Sequence, residues 1–409
     1  MRIRSITSFF DPTKQHAHQD LEQLSKINQT LNEVITGSIM PVQSSRLATT
    51  PFPLFFNGKS KDQKIRETIQ FEKEAGQLGW SYLSLGPALP ENPESFQAIP
   101  DLLAATQNVF FSGIIADNKV IYPAAVNLCA EVIQRNAGIS SDGFTNLRFA
   151  AIANVPPWTP FLPAAFHQFN QPLAISIAIE CADVVLKAFE QSETFEEGRI
   201  RLLTLLEDAA GKISKVINKT LKGTGIVFKG FDFSPAPFPE DWCSLGGAIE
   251  QLGLNHIGGT GSLAAVAVIA DTLDKGKWLH AGFNGMMLPV LEDSILAKRA
   301  SEGRLSVKDL LLYSAVCGTG LDTIPLAGDI TTGEIASILM DVAALSVRLG
   351  KPLTARLMPI PGKKAGDETS FNFGFFSNSR VMPIDGQSLT SFLSGDTPIS
   401  LTPRHHTLS

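Results

Sequence analysis

The chain has four cysteines, Cys129, Cys181, Cys243 and Cys317, set far apart with no CxxC pair among them. So sparse a set cannot staple a secreted chain of 409 residues, and reduced thiols in a reducing compartment are the plain expectation. Long apolar runs are missing as well. A membrane helix needs roughly 18 or more uncharged apolar residues, and the best candidate, PLAISIAIECADVVLKAF, is interrupted by Glu180 and Asp183. The opening MRIRSITSFFDP carries two arginines but no apolar stretch of signal-peptide length. A cytoplasmic protein with no membrane partner is therefore expected. Basic runs are absent too. With a net charge of −6 and no clustered Lys/Arg footprint to displace counterions, nucleic-acid binding is not expected.

What is present is core-forming material. A hydrophobic share of 44% supports a large core and excludes a disordered chain. Short β-branched runs over 3–9, 42–49, 82–85, 109–116, 146–155, 226–233 and 354–358 read as strands. Helical patterns cover 61–78, 124–134, 196–221, 307–316 and 333–349, the last with Thr332 as N-cap. Leu21, Leu24, Ile27, Leu31 and Val34 recur at three- and four-residue spacing and mark one more helix face. In 196–221 the inward set is Ile200, Leu203, Leu206, Ile213 and Ile217. Residues 173–180 fit a strand or a buried helix equally. Gly86-Pro87 and PIPG read as strand stops.

This alternation predicts an α/β protein with a largely parallel sheet, helices outside it and ligands at the carboxyl ends of strands. About eight to ten strand candidates suit a closed barrel or a large open sheet. No Gly/Ser-rich or Pro-rich linker divides the first 380 residues. One domain is expected over 1–383, followed by a polar tail over 384–409 that is extended or disordered.

Several constellations can carry chemistry. In GKWLHAGFNGMMLPVLEDSILAK and YSAVCGTGLDTIPLAGD, glycines imply tight turns carrying Glu292, Asp293, Asp322 and Asp329, with Cys317 beside them. These carboxylates suit acid–base work, and Asp322 and Asp329 suit a divalent metal ion. The plainer reading makes the aspartates turn caps and Cys317 a small buried hydrophobe. GGTGS leads into a helix, so Thr260, Gly261 and Ser262 could present backbone N–H groups to an anion; the spacing is neither a P-loop nor GxGxxG. Arg356 and Lys363 in TARLMPIPGKKAGD, and Arg46 in SSRLATTPF, are candidate clamps for an anionic group. An arginine in a strand pattern needs a partner if buried. His167, after the proline-rich loop NVPPWTPFLPAAFH, is a candidate general base or a hydrogen-bonded loop residue. The pairs His16/His18 and His405/His406 lack metal-ligand spacing.

MRIRSIT, VQSSRLATTPF, YLSLGPA, TPFLPAAFH, GFDFSPAP, GFNGMMLPVLED, LLLYSAVCGTGLDTIPLAGD and KPLTARLMPIPGKKAGD run through most of the first 383 residues. With them the chain resembles the bacterial and archaeal family called domain of unknown function 711, or uncharacterised protein family 0210. SPAPFPEDWCSLGG departs from the family pattern, which favours a threonine after alanine-proline and no tryptophan or cysteine; this speaks against a role for Cys243. GGTGSLAA departs from the family's GTxGTTAA and weakens the anion-loop reading. The resemblance implies the fold group of the pyruvate formate-lyase-like glycyl radical enzymes: a ten-stranded α/β barrel of two half-barrels with surrounding helices. It does not carry the mechanism over. Radical chemistry needs a glycine in an RVxGY-like C-terminal hairpin facing a loop-tip cysteine, and SNSRVMPIDGQSL has no such motif.

The expected function is a non-radical enzyme acting on a small carboxylate- or phosphate-bearing metabolite, with a homo-oligomer and a divalent metal ion as candidate partner and cofactor. The alternatives are a non-catalytic metabolite-binding regulator and, least of all, a glycyl radical enzyme.

Overall fold

The computed structural model describes residues 1–404 except Gly318, with Phe392 described by its backbone alone. The first strand, β1 (Arg2–Phe10), is buried on both faces: Ile3, Ile6 and Phe9 are all fully inaccessible. Strands covered on both sides carry near-continuous apolar runs, as helix-flanked parallel sheets require. Beside β1 lie β2 (Ser45–Thr49), β3 (Tyr82–Ala88), β4 (Val109–Asp117) and β6 (Phe149–Ala153), all parallel. The intervening helices are α1 (Ala17–Ser38), the short α2 (Pro53–Phe56), α3 (Lys61–Gln77), α4 (Pro93–Ala104) and α5 (Pro123–Ala137).

The second half of the chain runs the other way. β7 (Ala174–Glu180) pairs antiparallel with β1 and parallel with β8 (Val227–Asp232). Between them lie α6 (Ala182–Glu190) and α7 (Phe195–Leu221). After α8 (Leu245–Glu250), α9 (Ser262–Asp274), α10 (Ser294–Ser301) and α11 (Val307–Cys317) comes β9 (Gly320–Ala327), then α12 (Thr332–Leu349) and β10 (Leu353–Ile360). β10 is parallel to β9 and antiparallel to β6. The main path is β8-β7-β1-β2-β3-β4-β6-β10-β9, and a small β5 (Val120–Ile121) pairs with β4 to complete, with β11 (Ile399–Ser400), an eleven-stranded sheet.

The α/β class expected from the sequence is observed, but the ladders of this sheet do not close into a ten-stranded barrel. Its two ends face the segment 280–289, which makes one parallel bridge with each: Phe231 with His280, and Asp322 with Pro289. Among the described residues no helix is long and apolar enough to cross a membrane.

The chief departure from the sequence reading is β9. GLDTIPLA reads as a glycine-punctuated loop, yet it is a strand with seven of its eight residues buried. Gly320 makes its entry possible. Its φ is +99°, and a Cβ there would sit 2.1 Å from the Thr354 carbonyl oxygen. Gly86-Pro87 likewise does not stop β3; Gly86 takes φ +75° in a register shift, and the strand continues to Ala88. Residues 144–148 form a 3-10 turn before β6, and β10 continues through Pro359 to Ile360. Helix faces are rotated slightly: Ile35 is inside and Val34 exposed on α1, and Leu202 is inside where Ile200 is 59% exposed on α7. The cap of α12 is Thr331, in a capping box with Glu334. The tail is not wholly free, because β11 pairs antiparallel with β5.

Candidate functional site

Arg2 and Arg4 lie near the start of β1, Arg46 on β2, Glu180 at the end of β7, Asp322 on β9 and Arg356 on β10. Two bulges set their direction. Pairing of β1 with β7 steps from Ile3↔Ile179 to Ser5↔Ala178, leaving Arg4 without an opposite residue. Pairing of β10 with β9 steps from Ala355↔Leu321 to Leu357↔Ile324, so Asp322 and Thr323 together face Arg356. Bulges re-aim side chains and recur beside functional sites. Thr323 has φ +45°, a strained backbone for a β-branched residue. Its hydroxyl accepts a bond from Leu291 N at 3.3 Å, tying the turn that carries Glu292 to β9.

The result is a chain of alternating charges. Arg356 donates through Nε to Asp322 Oδ1 at 2.5 Å and through Nη2 to Asp322 Oδ2 at 3.0 Å. The same Nη2 donates to Glu292 Oε1 at 2.7 Å. Arg4 donates to Glu292 Oε2 at 2.6 Å and to Glu180 Oε2 at 3.4 Å, and Arg2 holds Glu180 Oε1 at 2.6 Å. Arg356, Glu292 and Asp322 are all buried. Three arginines here meet three carboxylates. Arg46 is the surplus: its Nε donates to Ser44 Oγ at 3.1 Å, its guanidinium lies 5.9 Å from the Tyr82 ring centroid, and among the described residues it forms no ion pair. A cavity of about 170 Å³ opens beside it, lined by Arg4, Arg46, Glu292 and Arg356 and walled by aromatic rings.

Burial pushes the Arg46 guanidinium down to about 9, and the positive charge of Arg4 adds to the effect. It stays charged at neutral pH, but uncomfortably so. For Glu292 burial acts to raise the carboxyl, yet the charges of Arg4 and Arg356 outweigh it and hold Glu292 below the usual range. Asp322 moves the other way: burial raises it by more than Arg356 recovers, and the charge of Glu292 adds to the rise. Two adjacent carboxyls whose surroundings drive them apart are the arrangement from which acid and base roles are made.

A family model described as "Uncharacterised ACR (DUF711)" matches residues 1–377. The chain belongs to this family. Among its relatives, a UPF0210 protein of Methanopyrus kandleri is 29% identical over 408 residues, covering 92% of this chain and 90% of that protein. One from Desulfovibrio desulfuricans is 30% identical, covering 90% and 86%. One from Acetivibrio thermocellus is 28% identical, covering 87% and 82%.

Of the residues singled out in this DUF711 chain, Arg46, Arg356 and Glu292 line one cavity, with Asp322 behind Arg356. The others lie elsewhere. Asp329 is exposed in the turn after β9, so Asp322 and Asp329 do not form a pair. Asp293 is the N-cap of α10 and accepts from Ser244 Oγ, Leu245 N, Gly246 N, Ile295 N and Leu296 N. Its role is to hold α8 to α10. Replacing Asp293 with alanine strips a cap and orphans buried N–H groups, so we expect about 2–4 kcal/mol lost in urea unfolding, with asparagine milder.

Lys363 sits on a partly exposed turn beside a different cleft. Ser262 Oγ is taken by Gly258 N, while Thr260 and Gly261 face solvent. Cys317 is a buried core residue whose sulfur lies 3.7 Å from Thr319 Oγ1 and does not line the cavity. Among the described residues no three His, Cys, Asp or Glu side chains are grouped to hold a metal ion. His405 and His406 lie outside the described residues.

His167 is fully buried. Trp158 Nε1–H donates to its Nδ1 at 3.0 Å, so the ring proton sits on Nε2, facing Gln171 O at 3.3 Å. Burial pushes it down to about 4. A base held neutral in the fold gives stability that is complete above the ordinary histidine value near 6.5 and is lost as pH falls toward 4. Wild type should lose up to about 3 kcal/mol across that window in denaturant titrations, and His167→Gln measurably less.

The sequence reading missed Arg4, Glu180 and Gln43. The two arginines in MRIRSIT carried a signal of the same kind as Arg46: charge inside a strand pattern. The cavity also lies toward the amino ends of β1–β4, not the carboxyl ends expected of a parallel sheet. Because the second half of the sheet is antiparallel to the first, each end of the sheet mixes both kinds of strand terminus.

Proposed function

We propose that this protein is an enzyme acting on a small anionic metabolite in the cavity beside Arg46. The observation that carries the reading is a partly buried guanidinium, without an ion pair among the described residues, facing an aromatic-walled space next to a carboxylate held by two other arginines. Arg46 binds the anionic group, and Glu292 is the carboxylate that meets the ligand. An anion on Arg46 offsets part of the positive field that depresses Glu292, so binding itself raises the proton affinity of that carboxyl and readies it as a base. Asp322 and Arg4 fix Arg356 and Glu292 in place. The chemistry is non-radical, with Cys317 a core neighbour. In this reading the segment 280–289 takes the fifth place in the second half of a ten-stranded barrel, and its bridges to Phe231 and Asp322 support that closure.

A non-catalytic metabolite sensor is the second reading. It is favoured by one observation: every carboxylate in the network is already hydrogen-bonded to arginine. The test is thermal unfolding with and without small organic acids and phosphates at matched ionic strength. A ligand at 100 times its Kd adds about 2.7 kcal/mol to the native state. Anions that leave the melting temperature unmoved, or that move it equally in Arg46→Met, sink both readings. Retained binding in Glu292→Gln, together with lost turnover of the hit, separates enzyme from sensor.

A further inference from the structure

We infer that the ligand is a ring-bearing monocarboxylate with a hydrogen-bond donor close to its carboxylate; the inference rests on the anion-site reading above. Charge comes first. Arg2, Arg4 and Arg356 are matched by Glu180, Glu292 and Asp322, which leaves Arg46 alone to be neutralised. A second negative charge on the ligand would meet Glu292 in the same cavity, where no further cation among the described residues lines the wall to receive it. Like charges at such range repel strongly where water is scarce. One negative charge fits; two do not.

The walls decide the body of the ligand. Tyr82, Phe110, Phe161, Phe373 and Phe375 line the space. Tyr82 meets Phe110 edge-on at 5.6 Å, and Arg356 lies 5.4 Å from the centroid of Phe161. Such surfaces favour an apolar ring, which finds edge-to-face partners there, over a hydroxyl-rich sugar or inorganic phosphate, whose polar groups would go unmatched. At about 170 Å³ the cavity is below the roughly 300–1,000 Å³ of sites for drug-sized ligands, so the ring is small and single.

The third observation is Gln43. It lines the same cavity, and its Oε1 is buried with no hydrogen-bond partner. Buried acceptors are nearly always paired, and an unpaired one beside a cavity marks where a ligand donor belongs. Gln43 precedes Arg46 by three residues on the segment entering β2. Because Gln43 and Arg46 line the same cavity, the donor belongs near the carboxylate, where an α-hydroxyl would be.

A matched set of probes tests each part: phenylacetate, mandelate (the same acid with an α-hydroxyl), phenylmalonate (the same with a second carboxylate) and inorganic phosphate. Calorimetric titration of the full chain should rank mandelate at least threefold tighter than phenylacetate. Phenylmalonate and phosphate should be at least tenfold weaker than phenylacetate. In Gln43→Leu the advantage of mandelate should vanish while phenylacetate still binds. Equal affinities for mandelate and phenylacetate in wild type would overturn the donor assignment. Phenylmalonate or phosphate binding as tightly as phenylacetate, and lost in Arg46→Gln, would overturn the monoanion inference while leaving the anion-site reading standing. Binding of none of the four in an Arg46-dependent way would overturn that reading too. Arg46→Lys, which keeps the charge, serves as the folded control.

Discussion

Arg356→Met should lower the free energy of unfolding by about 3–5 kcal/mol at pH 7, because it leaves buried carboxylates without their shared cation. Arg356 gives Asp322 two bonds and Glu292 one, and all three side chains are almost wholly inaccessible. Glu292 retains Arg4 after the change, whereas among the described residues Asp322 has no other arginine bonded to it. The loss should therefore concentrate on Asp322, and two further measurements follow. First, acid should relieve it. Burial already raises Asp322, and without Arg356 that carboxyl rises further, so the variant binds a proton in the fold more readily than when unfolded. Its deficit against wild type should shrink as pH is lowered toward the carboxylate range. Second, Arg356→Met with Asp322→Leu should recover most of the loss, since swapping a buried ion pair for packed apolar groups is often neutral. A single-variant loss under about 1 kcal/mol in guanidinium titrations would mean that water already reaches the pair.

This network also shows what the sequence made legible. Arg46 and Arg356 stood out because an arginine inside a strand pattern needs a partner if buried, and the two differ in what they meet. Arg356 meets two carboxylates; among the described residues Arg46 meets none. Glu292 and Asp293 look interchangeable in VLEDSILAK, yet one residue separates a cavity carboxylate from a helix cap. Asp293 stands immediately before a helical run, which is a cap signature, so that division was readable in principle. Asp329 follows its strand and is lost to solvent.

The partnership of Arg2 and Arg4 with Glu180 was not readable. It spans more than 170 residues and depends on β7 lying antiparallel beside β1, which no local pattern encodes. The strand β9 was hidden for a different reason. Periodicity reveals a strand only when one face is wet, and β9 is covered on both. Its glycine, proline and aspartate then mimic a loop. The register shift and the left-handed Thr323, which turn this segment into a support for Asp322, are tertiary features with no sequence signature.

Arg46→Met should make the protein more stable by about 1–3 kcal/mol and nearly abolish the small-anion binding proposed for its cavity. The guanidinium is charged at neutral pH, among the described residues no carboxylate meets it, and burial pushes it down to about 9. The sign follows from linkage. A base whose proton is held less tightly in the fold than in the unfolded chain penalises the native state at every pH below its folded value. That penalty fades only as pH climbs from about 9 toward its ordinary value. Methionine removes the penalty, fills comparable volume and suits an aromatic surround. Binding pays the other side: losing one half of a buried, hydrogen-bonded charge pair costs 2–5 kcal/mol, about 30-fold or more in Kd. The two effects must appear together in one variant, as a raised denaturation midpoint and a lost anion-induced thermal shift. If Arg46→Met were destabilised instead, the guanidinium would have to be satisfied in the resting protein, and the cavity beside it would no longer need an anion to complete it.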